Sequence, residues 1–159
     1  MIVYAPDDAM RGAQSRGELV DLLDLHATVL DYASAGTIDT SYGPGRSIRP
    51  LLSGERNTDW RTVQMAERGN LRMVTDGRWK LVREYFVDEH EPPLDRWYDL
   101  THPFGERHSV DLPGSPIRGR LMTELERFFS QYETPEHSGR LIWEQPPPNA
   151  RMREDLAAD

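Results

Sequence analysis

Asp7-Asp8 follows the apolar run Ile2-Val3-Tyr4, and adjacent carboxylates after a strand could begin a divalent-cation site. A hard cation takes about six oxygen ligands. No second acidic pair completes the set, so Asp7-Asp8 reads as a solvated loop. Five histidines stand at His26, His90, His102, His108 and His137. None are spaced i, i+4 or as H-x-H, the arrangements that hold a metal from one helix or strand. Surface or turn positions are expected for them. His102 and His108 flank Pro103-Phe104-Gly105 and could approach each other, but two imidazoles make a poor metal trap. Asp88, Glu89, Glu91 and Asp95 offer carboxylates for acid–base chemistry with no partner to perturb them, and they read as a solvated turn. Ser15, Ser47 and Ser115 lack the G-x-S-x-G setting of a serine nucleophile. Gly43 and Gly45 lack the G-K-[ST] that completes a phosphate loop. Trp60, Trp79, Trp97 and Trp143 could stack sugars or aryl groups. Core packing is the commoner fate of a strand tryptophan and is expected for Trp79 and Trp97, whereas Trp143 lies in a tail and could dock on a partner.

The elements that must position these groups are short. Ile2–Tyr4 and Leu19–Leu22 read as strands, separated by a loop broken at Pro6, Gly12 and Gly17. Asp24 suits a helix N-cap. A helix over Leu25–Ala35 would place Leu25, Val29 and Tyr32 on one stripe and end at Gly36. Thr37–Arg46 is a polar Gly/Pro loop, and Ile48–Leu52 is at most one helical turn, closed by Gly54. Three strands then follow closely, Val63–Glu67, Leu71–Thr75 and Trp79–Glu84. Asp76-Gly77 marks a hairpin between the last two, since its turn wants residues with positive φ. Arg96–Leu100 is a fourth strand. Ser115-Pro116 opens a long helix, with serine as N-cap and proline at the first helical position. Ile117, Leu121, Leu125, Phe128 and Tyr132 form its apolar stripe, and Pro135 ends it. Pro146-Pro147-Pro148 belongs to an exposed tail. The pattern predicts an α+β fold, a small four-stranded antiparallel sheet packed by a long C-terminal helix.

Composition narrows the function. A chain of 159 residues suffices for a real core, but only 37% of it is hydrophobic, so that core is thin. A net charge of −8 repels phosphate backbones and disfavours nucleic acid, so no nucleic-acid partner is expected. No apolar run reaches the ~20 residues that span a bilayer. Met1-Ile2-Val3-Tyr4 lacks the basic start and apolar core of a signal peptide, which favours a cytoplasmic location. The absence of cysteine excludes disulfides and thiolate metal sites.

Several segments, read in order, resemble the C-terminal region of the sulfatase family, within the alkaline phosphatase superfamily. Gly45–Glu55 reads G-R-S-I-R-P-L-L-S-G-E, where the family runs G-R-S-L-x-P-L-L-x-G-E. Trp97-Tyr98-Asp99-Leu100 with Pro103, Gly105 and Glu106 is similar to L-Y-D-L-x-x-D-P-x-E, and Trp79–Val82 to the strand Y-K-L-I. Val20–Leu25 with Thr28–Ala33 is similar to V-S-x-V-D-L-x-P-T-L-L-D-L-A-G, and Ile2–Pro6 to P-L-I-I-R-x-P-G, entered partway. The likeness spans Ile2 to Tyr132. His26 departs from the family's proline region and Ser34 from its glycine.

The resemblance implies four regions: residues 1–36 as the truncated edge of an α/β core (a strand-loop-strand-helix remnant), 37–59 as a linker, 60–134 as the sheet-and-helix subdomain, and 135–159 as an extended tail. It implies no activity for this chain alone. The family's nucleophile is a formylglycine made from Cys or Ser in C/S-x-P-S-R, and that motif is absent here. Tyr42 stands in the nearest echo of it, and a tyrosine cannot become an aldehyde hydrate. Full-length members bind a divalent cation, usually calcium, through residues upstream of the region matched. The expectation is therefore a sulfatase-like segment of a sulfuric-ester hydrolase family with no catalytic, cofactor-binding or metal residues of its own. The alternative is a non-enzymatic interaction module. Its strands Ile2–Tyr4 and Leu19–Leu22 would present unpaired edges, to be covered by a second copy or by a separate catalytic chain.

Overall fold

Asp21 and Asp24 start the first helix. Asp21 Oδ1 accepts the Leu23 N–H at 2.9 Å, and Asp24 Oδ2 accepts the Asp21 N–H at 2.7 Å. The free Leu23 amide of the first turn and the Asp21 amide just before the helix are thereby satisfied. The helix, α1, spans Leu23–Tyr32, with Leu22 at its N-cap. Asp24 is therefore inside the first turn and is not the cap. The predicted strand Leu19–Leu22 does not form: residues 19–21 are irregular and Leu22 lies in a turn. Asp21's backbone and side chain are engaged in the helix-start turn, which takes the chain out of an extended ladder. The computed structural model describes residues 3, 15–33, 43–54, 59–86, 90–112, 114–134 and 138–139. The expected strand Ile2–Tyr4 lies outside these residues apart from Val3, as does the tail after Gly139.

The chain divides into two units, Met1–Gln64 and Met65–Asp159. In the first, α1 packs against α2, a single helical turn over Arg49–Leu52 with Pro50 near its start. Ile48, Leu51 and Trp60 form a small buried cluster, with Val20 and Leu52 packed on it. The Trp60 indole N–H donates to the Leu19 carbonyl at 2.8 Å, which satisfies its polar atom inside that core.

The second unit carries the sheet. Strands β1 (Gln64–Arg68), β2 (Leu71–Thr75), β3 (Trp79–Glu84) and β4 (Leu94–Asp99) lie in the order β1-β2-β3-β4. The sheet is antiparallel, as predicted. The β2–β3 hairpin turns on Gly77, at φ +91°. Asp76 donates its N–H to the Trp79 carbonyl at 3.2 Å, while its carboxylate accepts the Arg78 and Trp79 N–H groups. The two central residues are therefore Gly77-Arg78, and Asp76 holds the turn from its flank. Leu100 N–H reaches the Arg78 carbonyl at 2.7 Å, tying the end of β4 to the same turn.

Helix α3 spans Pro116–Tyr132, and Ser115 caps it by accepting the Ile117 N–H at 3.3 Å. It packs against β2. One face of the sheet presents Val74, Leu81 and Trp97, which lie directly opposite one another across three strands, and all three are buried. Leu121, Leu125 and Phe129 of α3 are also buried. The predicted stripe is corrected at one position: Phe129, not Phe128, is in the core. Phe128 sits beside it, with ring centroids 5.3 Å apart, while the Arg72 guanidinium lies 4.2 Å over the Phe129 ring. Val74, Leu81, Leu121 and Leu125 are fully buried. Each such side chain stabilises by about 1.5–3 kcal/mol, more than the ~0–1 kcal/mol of an exposed ion pair. The apolar seam is therefore the main support of this unit. The Trp97 indole N–H is buried without a hydrogen-bond partner among the described residues, and the backbone of Val110 closes over the strand by donating to the Trp97 carbonyl at 2.7 Å.

Candidate functional site

The densest polar arrangement joins α1 to the segment Pro44–Leu52. Three acceptors recur along α1 at i, i+4 and i+7, namely Asp24, Thr28 and Asp31, a spacing that puts them on one face of the helix. Each meets a donor from the segment. Asp24 Oδ1 accepts the Arg46 N–H at 2.8 Å, and Thr28 Oγ1 accepts the Ile48 N–H at 3.0 Å. Asp31 accepts the Ser47 hydroxyl at 2.6 Å and the Arg49 guanidinium at 3.1 Å. Gly45 makes this approach possible, since a Cβ there would strike the Leu23 carbonyl. The family-like segment Val20–Ala33 thus binds residues 45–49 of the second one, and Asp24, Thr28, Asp31, Gly45, Arg46 and Ser47 take part both in the resemblance and in the contact.

Asp24 is the centre of this lock. It is wholly buried, and Arg61 closes on it with two nitrogens, at 2.9 and 2.5 Å. Such a two-pronged guanidinium–carboxylate contact is the strong form of a charged hydrogen bond. Arg61 also donates to Gln64 at 3.2 Å and to the Pro44 carbonyl at 3.3 Å, and Gln64 donates to Asp21. At the outer end the Ser47 hydroxyl first, against the opposing effect of burial and with the help of Arg49, holds the Asp31 carboxyl below its usual range.

Chemically the lock is closed. A buried carboxylate in a cleft would be a candidate base, but the Asp24 oxygens are filled by Arg61, Arg46 and Asp21. Ser47 donates its proton to Asp31, and no histidine is among its hydrogen-bond partners. The cation that the family resemblance implies does not fit this carboxylate set, because a hard cation needs about six oxygens and these are already committed to guanidinium and amide donors. Among the described residues no group of three or more His, Asp or Glu could hold a metal ion.

The other residues singled out by sequence separate as follows. Asp7, Asp8, Tyr42, Asp88, Glu89, His137 and Trp143 lie outside the described residues. His26 is exposed on α1, and Ser15, His90 and Glu91 are exposed. Asp95 is not a free turn carboxylate: it is the last-but-four residue of β4 and accepts Arg83 at 2.7 and 3.0 Å. Ser115 is a helix cap. Trp60 and Trp97 are buried, and Trp79 is half-buried beneath the Arg78 guanidinium, 5.1 Å from its ring. His102 and His108 do approach each other, with ring centroids 6.2 Å apart and Phe104 against both. Phe104 N–H donates to His102 Nδ1 at 3.2 Å. That bond requires a lone pair on Nδ1 and places the proton of the neutral ring on Nε2, the arrangement least suited to lending Nε2 to a metal. Thr28, Asp31 and Arg61 were not singled out by sequence. The signal that could have found Thr28 and Asp31 is the polar row at 24, 28 and 31, whereas Arg61 meets Asp24 from 37 residues away and carries no local signal.

The fold is shared with part of several hydrolase structures. The phosphonate monoester hydrolase SpPMH from Silicibacter pomeroyi matches with a TM-score of 0.52 and 23% identity, over 69% of this chain and 25% of that one. BT4656, solved in complex with its substrate D-glucosamine-2-N,6-O-disulfate, matches with a TM-score of 0.54 and 20% identity, over 69% of this chain and 24% of that one. BT1596, a 2-O GAG sulfatase, matches at 20% identity over 86% of this chain and 26% of that one, with a TM-score of 0.43 that adds no weight. At these identities the likeness is one of fold. It agrees with the sulfatase resemblance read from the sequence. The chain spans about a quarter of the length of the structures it matches. No family model and no curated protein matches it.

Proposed function

We propose that this chain is a sulfatase-like C-terminal lobe of a sulfuric-ester hydrolase family, a structural portion without catalytic activity of its own. The observation that carries this reading is the mutual lock of the two family-like segments. Asp24, Thr28 and Asp31 meet Arg46, Ser47, Ile48 and Arg49, so the residues with chemical potential act as fasteners. The fold likeness to a phosphonate monoester hydrolase and to a protein acting on a disulfated glucosamine supports the same class. In this reading the cleavage chemistry and its divalent cation belong to the portion of the fold beyond the quarter matched here.

The test is an assay of the purified chain with p-nitrophenyl sulfate and p-nitrophenyl phosphate, each with and without Ca²⁺ or Mn²⁺. No turnover above buffer is expected. Turnover that tracks the protein through successive purification steps would overturn the proposal and establish a small enzyme with an unrecognised site.

The interaction-module alternative, framed on sheet edges, loses one of its two edges because Leu19–Leu22 is not a strand.

A further inference from the structure

His102, Pro103, Phe104 and Gly105 form a type I β-turn just after β4. The Gly105 N–H donates to the His102 carbonyl at 2.8 Å. Pro103 takes the second position, where its fixed φ suits the turn, and Phe104 takes the third at φ −93° and ψ −3°. The first position of such a turn favours Asp, Asn and Ser, whose side-chain oxygen accepts the N–H two residues on. Here an imidazole takes that part, since His102 Nδ1 accepts the Phe104 N–H at 3.2 Å. The turn is also a junction. The His102 N–H donates to the Asp99 carbonyl at 3.0 Å, and the Phe104 carbonyl accepts the Arg107 N–H at 3.0 Å. The end of β4 is thereby joined to the single 3₁₀ turn Gly105–Arg107.

We propose that His102 makes this turn a pH-sensitive switch: the neutral ring closes the turn on the Phe104 amide, and the protonated ring releases it and re-aims Phe104. An Asn or Asp oxygen would keep its lone pairs throughout the range in which histidine, as a residue type, changes charge, about pH 5 to 8. A proton on Nδ1 turns the acceptor into a donor facing a donor, and the bond is lost. The residue that moves is exposed: Phe104 is 57% exposed, and its ring lies 5.6 Å from that of His102 and 5.2 Å from that of His108. The His108 ring is 6.2 Å from that of His102, so two charged rings would repel and open the cluster in the same direction. The charged groups around the turn are otherwise engaged. On β4, Asp99 accepts the Thr101 N–H and hydroxyl at 3.0 and 2.6 Å and faces Arg78 at 3.6 Å. In the 3₁₀ turn Glu106 pairs with Lys80 of β3 at 2.9 Å, and Arg107 follows it. Among the described residues no carboxylate is hydrogen-bonded to either imidazole to hold its charge in place. The switch does not depend on the sulfatase-like reading, and turnover in the assay above leaves it untouched.

The experiment is proton–nitrogen correlation NMR of the full chain, labelled with heavy nitrogen and taken in steps from about pH 8 to about pH 5. It compares the unaltered chain with His102→Asn, His102→Ala and His108→Asn. At the high end the His102 ring should carry its proton on Nε2 in long-range proton–nitrogen spectra. On acidification the Phe104 amide proton should move upfield, as loss of its acceptor requires, in step with protonation of the His102 ring and with the same midpoint. His102→Asn keeps an acceptor that does not titrate, so the amide should stay at the bonded position at every pH. His102→Ala should hold it at the released position at every pH. His108→Asn should leave the Phe104 transition in place. A Phe104 amide that stays still in the unaltered chain overturns the switch. So does an equal movement in His102→Asn, a transition abolished by His108→Asn, or a neutral His102 ring with its proton on Nδ1.

Discussion

Arg72 and Arg83 stand directly opposite each other on neighbouring strands β2 and β3. Two like charges in that relationship destabilise a sheet, and here each has its own carboxylates. Arg72 donates to Glu67 at 2.9 Å and to Glu133 at 2.6 Å. Arg83 donates twice to Asp95, at 2.7 and 3.0 Å, and to Glu126 at 3.4 Å. Asp95, against the cost of burial, pushes the Arg83 guanidinium above its ordinary range. The Arg72 guanidinium also lies over Phe129 and Tyr85, at 4.2 and 5.2 Å. The strand pair is thus held by charge at one end of the face and by Val74 against Leu81 at the other.

Arg72→Ala should destabilise the chain by about 3 kcal/mol, because it removes a buried ion pair and its packing on Phe129. Arg72→Met keeps most of that packing and leaves two carboxylates that reach solvent, so its loss should stay under ~1.5 kcal/mol. Urea unfolding followed by circular dichroism distinguishes the two. Equal losses would show that the charge, not the packing, sets the cost.

Asp24→Ala should cost about 3–5 kcal/mol, since it leaves the Arg61 charge and the Arg46 and Asp21 amides without their acceptor. Asp24→Asn should recover little, because the amide presents one acceptor where two oxygens are bonded. Adding Arg61→Met to Asp24→Ala should cost less than the sum of the single changes, the sign of a direct coupling. Additive losses in a double-mutant cycle would refute the lock.

Two glycines should respond in opposite directions. Gly45→Ala drives a Cβ into the Leu23 carbonyl and should cost more than ~2 kcal/mol, because backbone on both sides must move. Gly119 lies within α3 with open space where a Cβ would go. Gly119→Ala should stabilise by about 0.5–1 kcal/mol from helix propensity. Thermal melts of both variants test the contrast.

Asp76 gives a pH dependence. Burial alone would raise its carboxyl, but the Trp79 and Arg78 amides and the Arg120 guanidinium outweigh burial and hold it below its usual value. A depressed folded value favours folding above the unfolded value of ~3.9, and that contribution is lost as pH falls through the lower folded value. Stability should therefore decline below about pH 4, and Asp76→Asn should make the decline shallower. Asp31 and Asp99 are held low in the same way, so some slope should persist. Urea midpoints between pH 3 and 5 check this, and an unchanged slope in the variant would count against the Asp76 account.

Local chemistry was readable from the chain alone. Ser115-Pro116 specified where α3 begins, because a hydroxyl cap and a fixed φ act within one turn. Alternation and Asp76-Gly77 specified β2, β3 and the hairpin between them, because a strand's period and a turn's backbone need no distant partner. The order of predicted strands and helices indicated the fold class, and the family-like segments agreed with it. Tertiary structure decided which face of each element mattered. Leu25, Val29 and Tyr32 looked like a core stripe, yet α1 turns Asp24, Thr28 and Asp31 inward, because partners 20 residues along the chain offer matched donors. Phe129 displaced Phe128 from the core as Arg72 lay over its ring. Asp95, a loop carboxylate by sequence, became the main partner of Arg83 once the strands registered. Periodicity reports that a helix has two faces, whereas the partner that each face meets is a property of chain closure, fixed only when distant segments come together.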